Sequence, residues 1–200
     1  TSGYSQLKEV NGDFAGAIYD SKKRQLTFFR DHMGVRPLFY YANGQKLAFS
    51  TDIRGLLSME TTDVSVAEYW LWCKVAGGAY FGTENTEFAS IFCVKPASYM
   101  TFSIKENKLQ CNKKNYWQIG TKKVRLSSEK EYQKRLKELI TDSIQRRLQA
   151  VSGLVAGELS GGLDSSLITA VCAKKWEGSS FPHFPWTMWT VNILRIKNLI

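Results

Sequence analysis

The sequence has few of the residues from which metal centres and disulfide frameworks are built. It contains 4 cysteines and 2 histidines among 200 residues. No two of the cysteines form a CxxC pair; they are Cys73, Cys93, Cys111 and Cys172. A zinc site and a disulfide framework are therefore not expected. We expect reduced thiols and a cytoplasmic protein.

Long apolar runs are missing as well. No stretch is long enough to cross a bilayer, and residues Thr1 to Val10 lack the apolar core of a secretory signal. We therefore expect no membrane partner. Hydrophobic residues make up 44% of the chain and charged residues 22%, a composition that excludes wholesale disorder.

Acidic residues are outnumbered by basic ones, so the formal net charge is +9 and the pI is about 9.4. Such a charge favours polyanions in general. The bases are nevertheless scattered in small groups, and no recognised nucleic-acid motif accompanies them. These groups are Lys22-Lys23-Arg24, Lys113-Lys114, Lys122-Lys123 and Arg146-Arg147. We therefore expect no nucleic-acid partner.

The first part of the chain has the composition and turn signals of short antiparallel strands. Asn43-Gly44 is its strongest hairpin signal, and the first fifty residues are predicted to form an antiparallel meander. The predicted strands are Phe14–Tyr19, Gln25–Arg30, Leu38–Tyr41, Lys46–Ser50, Ser98–Ile104 and Lys108–Cys111. Two helices are predicted between them, at Asp52–Leu57, with Thr51 or Asp52 as its cap, and at Ser65–Lys74.

The pattern changes in the polar stretch Gly120–Leu126, where we place a domain boundary. The two domains are then residues 1–121 and 122–200. Ser128 and Glu131 fit a capping box. Apolar residues at helical spacing after this box predict an amphipathic helix over Glu129–Ala150, whose apolar stripe we interpret as a packing face.

A strand, a glycine-rich loop and a helix follow in that order. The strand is predicted at Gly153–Leu159 and the helix at Asp164–Lys175. This succession is typical of the start of a doubly wound α/β domain, so the fold class is α+β followed by α/β. The last residues, Gly178–Ile200, contain several aromatic residues and no clean period.

The loop Ser160–Ser166 carries the most chemical information in the sequence. A loop between a strand and a helix directs several backbone N–H groups at one point, where the helix dipole adds positive charge. Gly161 and Gly162 allow an anion to approach the backbone, and three serine hydroxyls can donate hydrogen bonds to phosphate oxygens. The loop has neither the Gly-Lys-Ser/Thr of a Walker A motif nor a dinucleotide GxGxxG. An ordinary glycine turn is the alternative interpretation.

The string Ser-Gly-Gly-Leu-Asp-Ser-Ser resembles the pyrophosphate loop of N-type ATP pyrophosphatases. In that family the loop grips the β,γ-pyrophosphate of ATP while a substrate carboxylate is adenylylated. The metal ligands stay unassigned: Asp164 lies at the start of the helix, where its carboxylate suits the dipole, and it could either hold the shape of the loop or help to bind Mg²⁺ indirectly, through phosphate. The resemblance also implies ATP and Mg²⁺ as cofactors and the following nucleotide-binding residues: Leu159, Ser160, Gly161, Gly162, Leu163, Asp164, Ser165 and Ser166.

Segments upstream of the loop resemble a class II glutaminase domain, in the order that this domain has in glutamine-hydrolysing asparagine synthetases. They are Asn11–Asp20, Arg30–Tyr40, Leu47–Leu57, Val94–Tyr99 and Asn115–Trp117. The resemblance covers about Val10 to Trp176. It implies the C-terminal half of an Ntn-type glutaminase sheet domain, followed by the start of a doubly wound ATP-pyrophosphatase domain. We therefore expect the chain to be a fragment of a longer protein.

The resemblance implies asparagine biosynthesis by ATP-dependent amidation of aspartate. The reaction would pass through β-aspartyl-AMP and use ammonia derived from glutamine. Aspartate, glutamine and ATP would be the substrates, and the parent protein could be a homodimer. A lactam-forming or lasso-peptide cyclase of the same family, and a non-catalytic fragment or pseudogene product, remain alternatives.

No catalytic residue is assigned within the chain itself. The nucleophile of the family is an N-terminal cysteine, which none of the four cysteines matches. Thr1 precedes a strand from the later part of the domain, so we do not expect it to act as a nucleophile. We interpret Arg30, Asp31 and Arg36 as a buried ion pair or turn anchor rather than as an active-site cluster. The 200-residue chain is therefore expected to be inactive.

Overall fold

The structure is a computed structural model that describes residues 3–60, 62–77, 84–106, 108–149, 155–175 and 183–185. The chain divides into two compact units, residues 1–121 and 122–200, and each is described separately. Among the described residues, no helix is both long enough and apolar enough to cross a membrane.

Two antiparallel sheets form the first unit, after a 3₁₀ helix at Gly3–Glu9. One sheet has four strands in the order β1-β2-β6-β7, and the other has three in the order β4-β3-β5. The strands are β1 Ala15–Asp20, β2 Gln25–Arg30, β3 Phe39–Ala42, β4 Leu47–Ser50, β5 Ile91–Cys93, β6 Ser98–Lys105 and β7 Lys108–Asn115. Two helices, α1 at Ile53–Leu57 and α2 at Glu68–Val75, lie between β4 and β5 in the chain.

The predicted meander is wrong at its centre, because β2 and β3 do not pair. Strand β2 pairs with β6, about seventy residues later in the chain, and β3 pairs with β4 and β5. The two sheets instead pack their apolar faces against each other: the Phe28 ring on β2 lies 6.2 Å from the Tyr40 ring on β3. Burying both faces in one core removes more apolar surface from water than a single open sheet would. The main core cluster consists of Phe28, Leu38, Tyr40, Val94, Met100 and Phe102.

Several local predictions for this unit are confirmed. Strand β2 has the predicted bounds. Asn43 closes the β3–β4 hairpin, since its side-chain oxygen accepts hydrogen bonds from the amides of Gln45 and Lys46 at 3.0 and 2.7 Å. Asp52 caps α1 by accepting a hydrogen bond from the Arg54 amide at 2.9 Å.

Two boundaries in the first unit differ from the prediction by three residues or more. Helix α2 begins at Glu68, three residues after the predicted start at Ser65. The Asp63 carboxylate accepts hydrogen bonds from the amide and the hydroxyl of Ser65, which keeps this residue in a turn. Strand β7 extends to Asn115 because it pairs with β6 along all eight of its residues.

The second unit begins with the long helix α3 at Glu129–Gln149. The Ser128 hydroxyl accepts a hydrogen bond from the Glu131 amide at 3.3 Å, as the capping box predicts. The Glu131 carboxylate in turn accepts from the amide of Ser127, one residue before the expected donor. Within the described residues, the apolar stripe of α3 packs against α4 but is only partly covered: no α3 residue is fully buried, and Leu136 and Leu139 are about half exposed.

A parallel strand pair and one helix complete the described part of the second unit. Strand β8 at Gly157–Leu159 pairs in parallel with β9 at His183–Pro185, and α4 at Leu163–Lys175 lies between them in the chain. Strand β9 lies in the segment for which the sequence showed no pattern. Parallel strands joined through a helix are the basic unit of α/β folds. The described residues of the second unit contain only this parallel pair, so the doubly wound sheet stays a prediction. The Ntn-type topology of the first unit also stays a prediction.

Candidate functional site

The glycine-rich loop lies, as predicted, between a strand and the start of a helix. Residues 160–162 connect β8 to α4. Gly161 has φ +83°, in the left-handed region that side chains disfavour. A Cβ atom built on Gly161 would meet no atom within 4 Å, and one on Gly162 would meet only the Ser160 hydroxyl, at 3.5 Å. The backbone at both glycines is therefore open to a ligand.

Hydrogen bonds around Ser165 hold the loop in shape. The Ser165 hydroxyl lies 3.2 Å from the carbonyl oxygen of Gly162, to which it donates. It accepts from the Ser160 amide at 3.3 Å and lies 3.0 Å from the Ser160 hydroxyl. With its own proton directed at Gly162, the Ser165 oxygen is the acceptor in that pair. Ser160 and Ser165 thus close the loop on itself.

Ser166 is placed differently from its neighbour. Its amide donates to the Gly162 carbonyl at 3.1 Å and begins the helical bonding of α4. Within the described residues, its hydroxyl makes no hydrogen bond, and the residue is exposed. Of the three loop serines, Ser166 therefore has the hydroxyl that is most readily available to a phosphate oxygen.

The electrostatic setting at this end of α4 favours an anion. The 13-residue helix places its positive dipole end at the loop, and Leu163 in its first turn is 90% exposed. Asp164, also in the first turn, is exposed and has a favourable position relative to the dipole. Nowhere in the described ranges do three His, Cys, Asp or Glu side chains converge as a metal site would require. A metal ion at the loop would therefore depend on Asp164 and on oxygens of the ligand itself.

An apolar groove of about 370 Å³ adjoins the loop, and sequence reasoning did not predict it. Side chains of α3 and α4 form this groove, and Asp164 in the first turn of α4 is one of them. The apolar residues that line it are Leu139, Ile140, Ile144, Leu167 and Ile168. The apolar stripe of α3 was the signal for this groove in the sequence. Leu159, the remaining predicted site residue, is half-buried in β8 beside Pro185 of β9.

Of the two predicted roles for Arg30 and Asp31, the structure confirms the turn anchor and not the ion pair. Among the described contacts, the two side chains form no ion pair with each other. The Arg30 guanidinium donates to the carbonyl oxygens of Gly34, Arg36 and Val94. The Asp31 carboxylate, only 1% exposed, accepts hydrogen bonds from three backbone amides at 2.9 to 3.1 Å.

These bonds fold residues 31–36 into the tight turn that carries the chain from one sheet to the other. Burial alone would raise the pKa of Asp31, but the backbone hydrogen bonds outweigh it and lower this pKa below its ordinary value of 3.8. Gly34 has φ +67°, and a Cβ there would lie 2.7 Å from the Pro96 ring. Only glycine fits this turn without a shift of its neighbours.

A second polar cluster joins the two sheets and was also missed in the sequence. Lys113 on β7 contacts the carboxylate of Glu84, which lies 3.8 Å from the Lys95 ammonium. Burial raises the pKa of the neighbouring Tyr40 hydroxyl to about 12. Burial would lower the pKa of Lys113, yet the hydrogen bond to Glu84 raises it above its ordinary value. The cluster ties β7 to the other sheet, a structural role.

Three of the four cysteines lack the setting of an activated thiol. Burial raises the pKa values of Cys93, Cys111 and Cys172, whereas catalytic thiols need a lowered pKa. Cys73 lies within α2, so its backbone nitrogen is part of a peptide bond and is not the free α-amine that an N-terminal nucleophile uses. Thr1 lies outside the described residues.

Comparison with known proteins agrees with this geometry. Residues 1–117 match the glutamine amidotransferase domain family, and residues 135–184, which include the loop, match the asparagine synthase family. The chain is 34% identical over 173 residues to the glutamine-hydrolyzing asparagine synthetase 3 of Bacillus subtilis, a match over 86% of this chain and 27% of that protein.

Two further relatives show the same coverage. A putative glutamine-hydrolyzing asparagine synthetase 2 of Methanocaldococcus jannaschii is 28% identical over 84% of this chain and 32% of its own length. The Amidase chry2 of Gibberella zeae is 26% identical over 84% of this chain and 24% of its own length. The chain thus spans a third or less of the length of these relatives. A segment of the second unit matches the asparagine synthase family, and because the amidotransferase match covers more than half of the chain, the chain belongs to the glutamine amidotransferase domain family.

Proposed function

We propose that the protein built on this chain is a glutamine-hydrolysing asparagine synthase of the cytoplasm. Glutamine supplies ammonia, ATP activates the β-carboxylate of aspartate as β-aspartyl-AMP, and ammonia displaces AMP to give asparagine. The observation that carries this proposal is the open loop at residues 160–166, which follows a glutamine amidotransferase domain in the same chain.

In this reaction the loop binds the pyrophosphate part of ATP. Backbone amides at Gly161 and Gly162 and the Ser166 hydroxyl donate to phosphate oxygens, and the dipole of α4 adds positive potential. When the carboxylate oxygen of aspartate attacks the α-phosphorus, the bond to the β-phosphate oxygen breaks and negative charge grows on the departing pyrophosphate. Donors that already point at this position stabilise that charge without having to reorient.

Mg²⁺ screens the phosphate charge when it is bound with ATP. The residues of the loop fit such an ion only in part, since Asp164 is the one carboxylate within Ser160–Ser166. Phosphate oxygens and water would supply most of the ligands, as is usual for Mg²⁺ at nucleotide sites. Asp164 would help to hold the hydrated ion at the start of α4.

A second candidate function keeps the chemistry and changes the acceptor. The match to an amidase of Gibberella zeae, at the same coverage as the synthetases, favours it. An enzyme of this kind would activate a different carboxylate and form an amide or a lactam. Supplying the full-length protein with ATP, ammonia and aspartate distinguishes the two, because only the synthase converts aspartate to asparagine.

Binding of pyrophosphate tests the role of the loop directly. We expect the 200-residue chain to bind inorganic pyrophosphate in the presence of Mg²⁺, as measured by isothermal titration calorimetry. Ser166→Ala should weaken binding at least tenfold, because a hydrogen bond to a charged group contributes roughly 1.5–3 kcal/mol. Ser21→Ala, in the exposed β1–β2 turn, is the matched control and should leave the affinity unchanged. A folded wild-type chain that does not bind pyrophosphate would contradict the proposal.

Glutamine hydrolysis should be absent from the 200-residue chain. The reaction needs a thiolate beside a free α-amine, and the four cysteines are internal, with raised pKa values at Cys93, Cys111 and Cys172. A coupled glutamate assay should therefore give only the blank rate, with a known glutaminase as positive control. Glutamate release that is lost in one of the four Cys→Ala variants would identify a nucleophile and refute this expectation.

A further inference from the structure

A polar groove of about 370 Å³ on the first unit has no part in the proposed function. It lies over strands β6 and β7, and its volume is within the range of small-molecule binding sites. Thr101 and Ser103 of β6 line it, whereas Met100 and Phe102, which alternate with them, are buried in the core. Because side chains alternate along a strand, the groove lies on the face of the four-stranded sheet that points away from the core.

The lining of the polar groove carries positive charge. Lys105 lies at one end, on β6, and Lys114 lies near the other end, on β7, where it pairs with Tyr99. Six residues of extended chain separate Tyr99 from Lys105, so the groove is roughly 20 Å long. Among the described residues that line it, none is Asp or Glu. The groove therefore attracts an anion and not a cation.

Polar side chains between the two lysines have no partner in the described part of the chain. These side chains are Gln25, Ser103, Gln110 and Asn112, and none of them makes a hydrogen bond with another described residue. Thr101 differs, because its hydroxyl lies 3.0 Å from the Thr27 hydroxyl. Amides and hydroxyls both donate and accept hydrogen bonds. A row of such groups without internal partners matches the hydroxyls of a sugar.

Two tyrosine rings lie at the end of the groove that contains Lys114. Tyr4 of the 3₁₀ helix and Tyr99 of β6 both line the groove, and their ring centres are 5.0 Å apart. Aromatic rings pack against the flat faces of ring-shaped ligands, as they do against nucleotide bases. A lysine ammonium next to such rings is well placed to bind a phosphate group that is attached to the ring compound.

We propose that the polar groove binds a phosphorylated sugar, either free or as part of a nucleotide. The lysine ammonium groups bind the phosphate, the amides and hydroxyls between them bind the sugar hydroxyls, and the tyrosine rings pack against the sugar or the base. Lysines alone would bind any anion, so the row of amides and hydroxyls is the observation that points to a sugar. The inference goes beyond the proposed function and involves none of the loop residues.

Protection of Cys111 from alkylation tests this proposal in the 200-residue chain. Cys111 is exposed and lines the groove, so a bound ligand should slow its reaction with iodoacetamide, which peptide mass spectrometry can follow. We expect ribose 5-phosphate or AMP, at up to about 10 mM, to slow the reaction at least threefold. Cys73 in α2 is the internal reference and should react at an unchanged rate. Because the readout is at the groove, a failure of pyrophosphate binding at the loop leaves this test unaffected.

The two probes also distinguish the source of the sugar phosphate. Protection by AMP at a concentration about tenfold lower than that of ribose 5-phosphate supports a nucleotide, with its base on the tyrosine rings. Protection by ribose 5-phosphate at the same or a lower concentration supports the sugar phosphate alone. Inorganic phosphate is the comparison ligand, and equal protection by it overturns the proposal, since the groove then binds any anion. Failure of both esters to protect Cys111 overturns it as well.

A double substitution tests the role of the lysines. Lys105→Gln combined with Lys114→Gln should raise the concentration of ester that half-protects Cys111 about tenfold, because both exposed ammonium groups are lost. Lys22→Gln combined with Lys46→Gln removes the same charge from two exposed turns outside the groove. This control should raise that concentration less than about twofold. Equal effects of the two double variants would show that the net charge, and not the groove, governs binding.

A substitution on β7 tests whether the groove binds the sugar itself. Asn112→Ala should weaken the protection by ribose 5-phosphate about three- to tenfold, because one hydrogen bond to a sugar hydroxyl is lost. Asn115→Ala is the matched control, since Asn115 is also exposed on β7 but does not line the groove. It should change the protection less than about twofold. If both variants bind the ester like the wild type, the proposed sugar contacts are wrong.

Discussion

Replacing Asp31 by alanine should lower the free energy of unfolding of the first unit by about 3 kcal/mol, since each buried amide left without a partner costs roughly 1–3 kcal/mol. The carboxylate accepts hydrogen bonds from the amides of Met33, Val35 and Arg36. The backbone of Asp31 also bonds to the residues just before β1 and β6: its amide donates to the Phe14 carbonyl at 2.7 Å, and its carbonyl accepts from the Ala97 amide at 2.8 Å. Loss of the carboxylate therefore loosens the turn on which both sheets depend. Urea unfolding followed by circular dichroism measures the change.

Asp20→Ala is the control for this measurement. Asp20 is the last residue of β1, and its carboxylate accepts a hydrogen bond from the Lys23 amide in the following turn at 3.0 Å. The turn is partly exposed, and we expect a loss below about 1 kcal/mol there. Equal losses in the two variants would show that Asp31 has no special part in the fold.

The same carboxylate should make the first unit sensitive to acid. The pKa of Asp31 in the folded protein lies below its ordinary value of 3.8, so the unfolded chain binds a proton more readily. The stability that Asp31 contributes is therefore complete above pH 3.8 and is lost as the pH falls through its folded pKa. In Asp31→Asn this part of the pH dependence should disappear, and unfolding curves recorded from pH 7 down to pH 2 can test it.

Gly161→Val should weaken pyrophosphate binding at least tenfold. A β-branched residue at φ +83° costs on the order of 1–3 kcal/mol, and the loop can avoid this cost only by turning its amides away from the ligand. The open space around Gly161 means that strain of the backbone, not collision, is the cause. Calorimetric titration of pyrophosphate with Mg²⁺ measures the effect.

A graded series separates backbone strain from a simple change of size. Asparagine tolerates the left-handed region better than valine does, so Gly161→Asn should retain more affinity than Gly161→Val. Gly120→Val is the control, because this glycine also lies in open space but has no positive φ. If valine at position 161 binds pyrophosphate like the wild type, Gly161 is not required for the anion site.

The candidate loop shows which features of a site can be predicted from residues that are adjacent in the sequence. Its place between β8 and α4 was predictable, because a strand, two glycines and a helix start follow one another directly in the sequence. The pairing of the Ser160 and Ser165 hydroxyls was not, since five residues separate them and either could equally have faced a ligand. Which serine remains available depends on the path of the backbone in three dimensions.

Helices α1 and α3 also show which features local sequence predicts and which it does not. Their first residues were predictable because caps such as Asp52 and Ser128 act on amides two or three residues away. The exposure of Leu136 and Leu139 on α3 was not, because helical spacing indicates which residues share a face and does not indicate what covers it.

Residues near one another in the sequence were enough to predict the strands other than β5 and β9, the Asn43 hairpin, the starts of α1 and α3, and the glycine loop. Turn chemistry, capping and side-chain periodicity act over a few residues and need no distant partner. The separation into two sheets, the pairing of β2 with β6, and the bonding of Arg30 and Asp31 to backbone groups became visible only in the folded molecule. Those features join residues far apart in the chain, and they form because burying both sheet faces outweighs the local tendency of neighbouring strands to pair.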